Sequence, residues 1–200
     1  MHPTLPDNAP FTPEQRGWLN GFLAGLFSGE AAPGCAVAPP AAAAPPPIPE
    51  RGPVTLLWGS QTGNAEGLAR KTAKKLGPEG FEVTVHDLAS YPVENLPGEE
   101  SLLIITSTYG DGEPPDNAAD FHAHLLSEQA PKFDGTRFAV FALGDSEYPD
   151  FCECGKQFDQ RLEELGATRL APRVDADVDF DEPFAAWIDT LVEQLAAPVA

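Results

Sequence analysis

The chain has 200 residues and a formal net charge of -19, with a pI near 4.3. That length suits one domain of ordinary size plus extra segments. So acidic a surface repels nucleic-acid phosphates and anionic membranes; it either steers basic protein partners or serves solubility alone.

The hydrophobic fraction of 42% is that of a chain folding around a core, but eight of the 22 prolines lie between Pro33 and Pro53. No apolar run approaches a membrane span, and Met1-His2-Pro3-Thr4 does not open a signal peptide, so a cytoplasmic location is the expectation. Cys35, Cys152 and Cys154 form an odd set without zinc-knuckle spacing, and they read as free thiols in a reducing compartment.

The first element is a helix over residues 11–28. Thr12 can cap it, Pro13 suits the first helical position, and Gln15 completes a capping box with Thr12. Trp18, Leu19, Phe22, Leu23, Leu26 and Phe27 recur at helical spacing as one broad apolar stripe. Gly17, Gly21 and Gly25 each cost such a helix roughly 1 kcal/mol relative to alanine. It therefore needs something to pack against, either its own domain or another subunit. Residues 29–52, with Pro39-Pro40, Ala41 to Ala44 and Pro45 to Pro47, read as an extended linker. The compact domain is expected over 53–195, with a tail at 196–200.

Beyond Pro53 strands and helices alternate. Strands are expected at Val54–Trp58, Phe81–His86, Leu102–Ile105, Phe138–Leu143 and Arg169–Val174. Helices are expected at Gly63–Leu76, Asn117–Leu126, Cys154–Leu165 and Pro183–Leu195. Five strands with helices between them imply an α/β fold, a parallel sheet covered on both faces. The central runs lack polar alternation, as strands buried on both faces should. Trp58 and Trp187 read as core residues, and His2, His86, His122 and His124 show no metal spacing.

Ligands of an open parallel sheet bind beyond the carboxyl ends of its strands. After the first strand comes Gly59-Ser60-Gln61-Thr62-Gly63-Asn64-Ala65, leading into a helix. Hydroxyls, free backbone N–H groups and the helix dipole there form an anion site. The loop has no lysine, which separates it from a nucleotide P-loop and suits an enclosed phosphate monoester. After the third strand comes Ser107-Thr108-Tyr109-Gly110-Asp111-Gly112-Glu113-Pro114-Pro115, and after the fourth Gly144-Asp145-Ser146-Glu147-Tyr148-Pro149-Asp150-Phe151. A loop tyrosine can simply pack on its own base. Two on neighbouring loops beside a phosphate site can instead sandwich a planar ring.

Ser60-Gln61-Thr62-Gly63-Asn64-Ala65, Thr108-Tyr109-Gly110-Asp111-Gly112 and Leu143-Gly144-Asp145-Ser146-Glu147-Tyr148 resemble the three FMN loops of flavodoxin-like domains, more closely those at the front of diflavin reductases. Pro114-Pro115-Asp116-Asn117-Ala118 and Gly155-Lys156-Gln157-Phe158-Asp159 continue the match. Thr12-Pro13-Glu14-Gln15 and Val174-Asp175-Ala176-Asp177-Val178 resemble the flavoprotein subunits of assimilatory NADPH–sulfite reductases. The likeness spans residues 53–195 and the first helix. It implies a flavodoxin-like three-layer sandwich with strand order 2-1-3-4-5 and FMN as cofactor.

Carried over by motif position, the resemblance gives Ser60, Gln61, Thr62, Gly63, Asn64 and Ala65 to the phosphate, and sets Tyr109 and Tyr148 on either side of the isoalloxazine ring. Gly110 would offer its backbone near the flavin N5. Ser107, Thr108, Asp111, Gly112, Leu143, Gly144, Asp145, Phe151 and Cys152 would line the ring or ribityl chain, and Asp177 would stand by the flavin edge. No residue acts as acid, base or nucleophile, and no metal is implied. The expected function is transfer of single electrons at low potential from an FAD/NADPH reductase domain, on this or another chain, to a basic-faced haem or iron–sulfur acceptor such as a sulfite reductase haemoprotein. Sulfite-reductase-type sequences often carry another residue where Tyr109 stands, which leaves the acceptor open. An independent flavodoxin carrier is the alternative, although the first helix and linker argue against a free shuttle. A non-redox receiver domain is a third reading, and it lacks the clustered acids that receivers need where Trp58-Gly59-Ser60 ends the first strand.

Overall fold

The computed structural model describes residues 11–27 and 50–197. Residues 29–49 of the expected linker, which include Cys35, and residues 198–200 of the expected tail lie outside the described residues. The chain divides into two units after Pro46, so the first helix is described by itself. Helix α1 spans Pro13–Phe27. Its capping box is present: the Thr12 N–H donates to Gln15 Oε1 at 3.0 Å and the Gln15 N–H to Thr12 Oγ1 at 3.3 Å. On its apolar stripe the Trp18 and Phe22 rings stack 5.6 Å apart and are 69% and 54% exposed.

The second unit is built from β1 (Pro53–Gly59), α2 (Asn64–Leu76), β2 (Glu82–Asp87), β3 (Ser101–Ser107), α3 (Ala119–Leu126), β4 (Arg137–Leu143), α4 (Glu153–Glu164), β5 (Thr168–Arg169), β6 (Val174–Ala176) and α5 (Asp181–Ala196). All strand pairs are parallel, in the order β2-β1-β3-β4-β5, with β6 also paired to β4. Alternate residues of the central strands enter two separate cores. Leu56, Leu103, Ile105, Ala139 and Phe141 pack with Leu68, Phe184, Trp187 and Leu191 under α2 and α5. Leu57, Leu102, Ile104, Phe138 and Val140 pack with Phe121, Leu125, Phe158 and Leu162 under α3 and α4. The result is three layers, helices on both faces of the sheet, as the unalternating apolar runs require.

The last strand departs from the expected continuous run Arg169–Val174. Phe138 pairs with Arg169 and Phe141 with Val174, so three steps along β4 face five steps along its neighbour. Pro172 has no N–H to give to the ladder. Arg173 turns away to place Nη1 2.9 Å from Asp159 Oδ2. Asp159, a buried carboxylate on α4, also takes Arg169 Nε at 2.8 Å and Nη2 at 2.9 Å. The strand is thus split by an ion triad that apolar patterning does not reveal. Both arginines are partly exposed and keep second partners in Glu163 and Asp175. Asp159→Ala is therefore expected to cost about 3 kcal/mol, the low end for breaking a buried pair. Urea unfolding checks this, and a loss below the error of the fit would show that the triad is dispensable.

Candidate functional site

The order of the strands reverses between β1 and β3, since β2 lies on one side of β1 and β3 on the other. At this switch the loops after β1, β3, β4 and β6 surround a cavity of about 660 Å³.

The loop after β1 prepares an anion site. Gly63 adopts a left-handed conformation (φ 87°) at the start of α2, and no side chain caps the helix. Its own N–H goes to Ser60 Oγ at 2.9 Å, and the Ser60 N–H goes to Asn117 Oδ1 at 2.9 Å. Among the described residues, no protein acceptor takes the N–H of Gln61, Thr62, Asn64 or Ala65. Those donors converge with the partial positive charge of the helix end. The Thr62 and Asn64 side chains line the cavity. Gln61 does not. Its amide donates to Asp116 Oδ2 at 2.9 Å and accepts from the Asp116 N–H at 3.1 Å, joining this loop to the exit of the next. Ala65 is buried in the core beneath α2, so only its backbone faces an anion.

Beyond β3, Ser107, Thr108, Tyr109 and Gly110 all line the cavity. Tyr109 and Glu113 exchange two backbone hydrogen bonds of 2.8 Å, closing a tight loop with Gly110 at φ 52°. Gly112 has φ 91°, and a Cβ there would stand 3.0 Å from the Asp150 side chain, so this loop and the one after β4 meet where only glycine fits. Asp111 and Gly112 lie outside the lining. Thr108 Oγ1 accepts the Cys154 N–H at 3.2 Å, which ties the loop to the start of α4.

Beyond β4, Leu143, Gly144, Asp145, Tyr148, Asp150, Phe151 and Cys152 line the cavity. Asp145 Oδ1 receives the Glu147 N–H at 2.9 Å, turning the chain towards Tyr148. Tyr109 and Tyr148 are 53% and 57% exposed, apolar rings held at the surface of one cavity. Val178 and Phe180 complete the lining. Asp177 lies outside this lining, with its carboxylate held by Ser146 and the Val178 N–H.

Sequence reasoning missed Asp150, Val178 and Phe180. Asp150 was within reach, because it lies in the quoted loop between Tyr148 and Phe151. Val178 closes the quoted Val174–Val178 run and Phe180 lies two residues beyond it, but their place at the cavity depends on where the split strand ends.

Cys152 and Cys154 are free and buried. Cys152 adopts φ 57°, unusual for a residue with a side chain, with its Sγ 3.5 Å from the Ala142 carbonyl and 3.7 Å from that of Ala176. Burial, reinforced by the charge of Asp175, pushes the Cys152 thiol up to about 12. Burial likewise pushes the Cys154 thiol up to about 12, against the opposing effect of its contact with Thr106. Neither is expected to react with iodoacetamide at pH 8 unless the chain is unfolded, because the thiolate is the nucleophile. Peptide mass spectrometry with and without denaturant checks this, and rapid native-state labelling at either position would contradict it.

The flavodoxin family profile matches residues 56–187. The chain belongs to the flavodoxin family. Among solved structures, this flavodoxin domain is similar to a Streptococcus pneumonia TIGR4 flavodoxin, at 29% identity and TM-score 0.66 over 74% of this chain and 99% of that one. It is also similar to a single-site cysteine-to-alanine mutant of flavodoxin from Pseudomonas aeruginosa, at 31% identity and TM-score 0.63 over 72% and 99%. Among curated relatives, the sulfite reductase [NADPH] flavoprotein alpha-component of Bacillus subtilis (strain 168) is 49% identical over 186 residues, 92% of this chain and 30% of the relative. That of Neisseria meningitidis serogroup C (strain 053442) is 42% identical over 207 residues, 100% of this chain and 34% of the relative. The chain thus spans about a third of the length of these relatives.

The cofactor of this flavodoxin domain is FMN, and the residues present fit it. Unpaired amides at a helix N-terminus suit a phosphate monoester, and two exposed tyrosines beside an apolar-floored cavity suit a flat ring. Asp145 and Asp150 are the charged residues of the lining, with no lysine, arginine or histidine among them. No helix among the described residues is long and apolar enough to cross a membrane.

Proposed function

We propose that this chain is the FMN-carrying electron-transfer module of a longer NADPH-dependent diflavin reductase of the sulfite-reductase type. It would receive electrons from an FAD/NADPH reductase domain and pass them singly to a haem or iron–sulfur acceptor. The observation that carries this reading is the cavity at the strand-order reversal, which joins a cation-free anion site to two exposed tyrosines. Kinship with far longer sulfite reductase flavoprotein alpha-components supports the larger setting.

When bound, FMN supplies one-electron redox chemistry. The protein's share is binding, orientation and electrostatics. Thr62, Asn64 and the free amides of Gln61, Thr62, Asn64 and Ala65 would hold the phosphate, with Ser60 and the Gln61 side chain bracing the loop from behind. Tyr109 and Tyr148 flank the ring, and Ser107, Thr108, Leu143, Gly144, Phe151 and Cys152 line its walls. Asp145 and Asp150 oppose added negative charge on the ring, which lowers the potential at which electrons leave. The acidic surface around the mouth guides a basic-faced acceptor to it.

Residues 53–195 form the FMN domain on this reading, 29–52 a tether, and α1 an assembly helix using its Trp18 and Phe22 face. Free buried thiols accord with a cytoplasmic setting. The acceptor is tested by following haem reduction when the photoreduced chain meets a sulfite reductase haemoprotein. Transfer is expected, slowing several-fold as salt rises from about 50 to about 300 mM. No haem reduction at any salt would contradict the proposed partner. Light scattering on the full chain tests assembly: wild type is expected at a multiple of 21.3 kDa, and the Trp18→Ser, Phe22→Ser double variant at 21.3 kDa. Equal masses would remove α1 as the cause.

A further inference from the structure

Two loops that line the cavity are joined by a polar contact outside it. Asp177, immediately after β6, receives the Ser146 N–H on Oδ1 at 3.2 Å and the Val178 N–H on the same oxygen at 2.8 Å. Its other oxygen, Oδ2, receives the Ser146 hydroxyl. One carboxylate thus gathers three donors from the loop after β4 and the loop after β6. The first loop supplies Asp145, Tyr148 and Asp150 to the cavity, the second Val178 and Phe180. Ser146 holds the carboxyl of Asp177 below the ordinary aspartate range, chiefly through its hydroxyl, so the partner is charged at neutral pH.

The bases of these loops are fastened separately. The Gly144 N–H donates to the Ala176 carbonyl at 2.9 Å, and the Cys152 thiol reaches the carbonyls of Ala142 and Ala176. Both of those ties lie below the loops, at the strand ends. The Asp177–Ser146 contact lies beyond them, where Tyr148 is 57% and Val178 65% exposed. The strand-end ties hold the sheet without it, and it joins the two loops farther out.

We propose that Asp177 and Ser146 form a latch that holds the Tyr148 loop against the Val178 loop around the flavin ring and thereby sets the rate at which FMN leaves. This rests on the FMN reading above and makes Asp177 a positioning residue, acting through Ser146 rather than on the cofactor. A hydrogen bond to a charged group is stronger than one between neutral groups, and here Ser146 supplies two donors to one carboxylate.

The test uses the full 200-residue chain loaded with FMN, with release followed by recovery of free-flavin fluorescence after dilution and association followed by its quenching. Asp177→Asn and Ser146→Ala are each expected to speed release about tenfold, the range of one lost charge-assisted hydrogen bond. Association rates and the urea unfolding midpoint of the FMN-free chain are expected to stay at wild-type values. The double variant should release FMN no faster than the faster single variant, because both changes undo one contact. Ser146→Thr, which keeps the hydroxyl, should restore slow release. Release within twofold of wild type in both single variants overturns the latch, as does a double variant whose acceleration is the product of the two singles. Failure of the wild-type chain to bind FMN at all overturns the FMN reading itself, and is distinguishable because the latch fails alone only in variants that still bind.

Discussion

Replacing Thr62 by aspartate is expected to weaken FMN binding by about 100-fold, roughly 3 kcal/mol, through charge repulsion at a half-screened site. Thr62 lines the cavity where the amides at the start of α2 have no protein partner. A carboxylate there would take those donors for itself and face a phosphate carrying close to two negative charges. The same charge near a helix N-terminus should leave the fold unharmed or slightly stabilised, by about 0.3–1 kcal/mol. The two effects have opposite signs, which makes the variant diagnostic. Thr62→Val, which removes only the hydroxyl, should cost about tenfold, as one hydrogen bond to a charged group. Fluorescence titration with FMN and urea unfolding measure the two quantities separately. Wild-type affinity in Thr62→Asp would show that the phosphate sits elsewhere.

Gly155→Ala is expected to lower stability by about 2–3 kcal/mol, although alanine normally favours a helix by about 1 kcal/mol over glycine. A Cβ at Gly155 would stand 2.3 Å from the Ala142 Cβ and 3.3 Å from its Cα, so α4 would have to lift from β4 by more than an ångström. For a domain of this size that corresponds to a melting midpoint lower by about 5–10 °C. Lifting α4 also moves the residues that lead into it, Phe151 and Cys152, which form part of the cavity wall. FMN affinity should therefore fall along with stability, unlike the outcome at Thr62. Adding Ala142→Gly removes the opposing methyl, and the pair should recover at least about 1 kcal/mol relative to the sum of the single changes. Simple additivity in thermal and urea unfolding would mean that the close approach of helix and strand is not the cause.

The sequence discloses the fold wherever the pattern is local. The apolar runs at Leu56–Leu57, Leu102–Ile105 and Phe138–Leu143 can be read as strands because both of their faces are covered, and Thr12 with Gln15 marks a helix start without any tertiary contact. The loops are legible for a related reason, since glycines and hydroxylated residues directly after such a run have no core position to fill. What escaped depends on contacts distant in sequence. The split of the last strand arises from Asp159 on α4, ten residues before Arg169 and fourteen before Arg173. Gln61 reads as a phosphate ligand in its loop, but its side chain is taken by Asp116, 55 residues away. Asp177 reads as a flavin-edge acid, while its oxygens point to Ser146, 31 residues earlier. Polar side chains have several chemically adequate partners, and only the folded chain selects among them.

The central claim is that this cavity holds FMN and makes it a one-electron carrier. Its most direct test is an absorbance titration of the purified chain with FMN, followed by stepwise anaerobic photoreduction of the complex. A one-to-one yellow complex is expected, passing through a long-wavelength absorption band midway before bleaching. Failure to bind FMN, or bleaching in a single two-electron step with no intermediate band, would contradict the account.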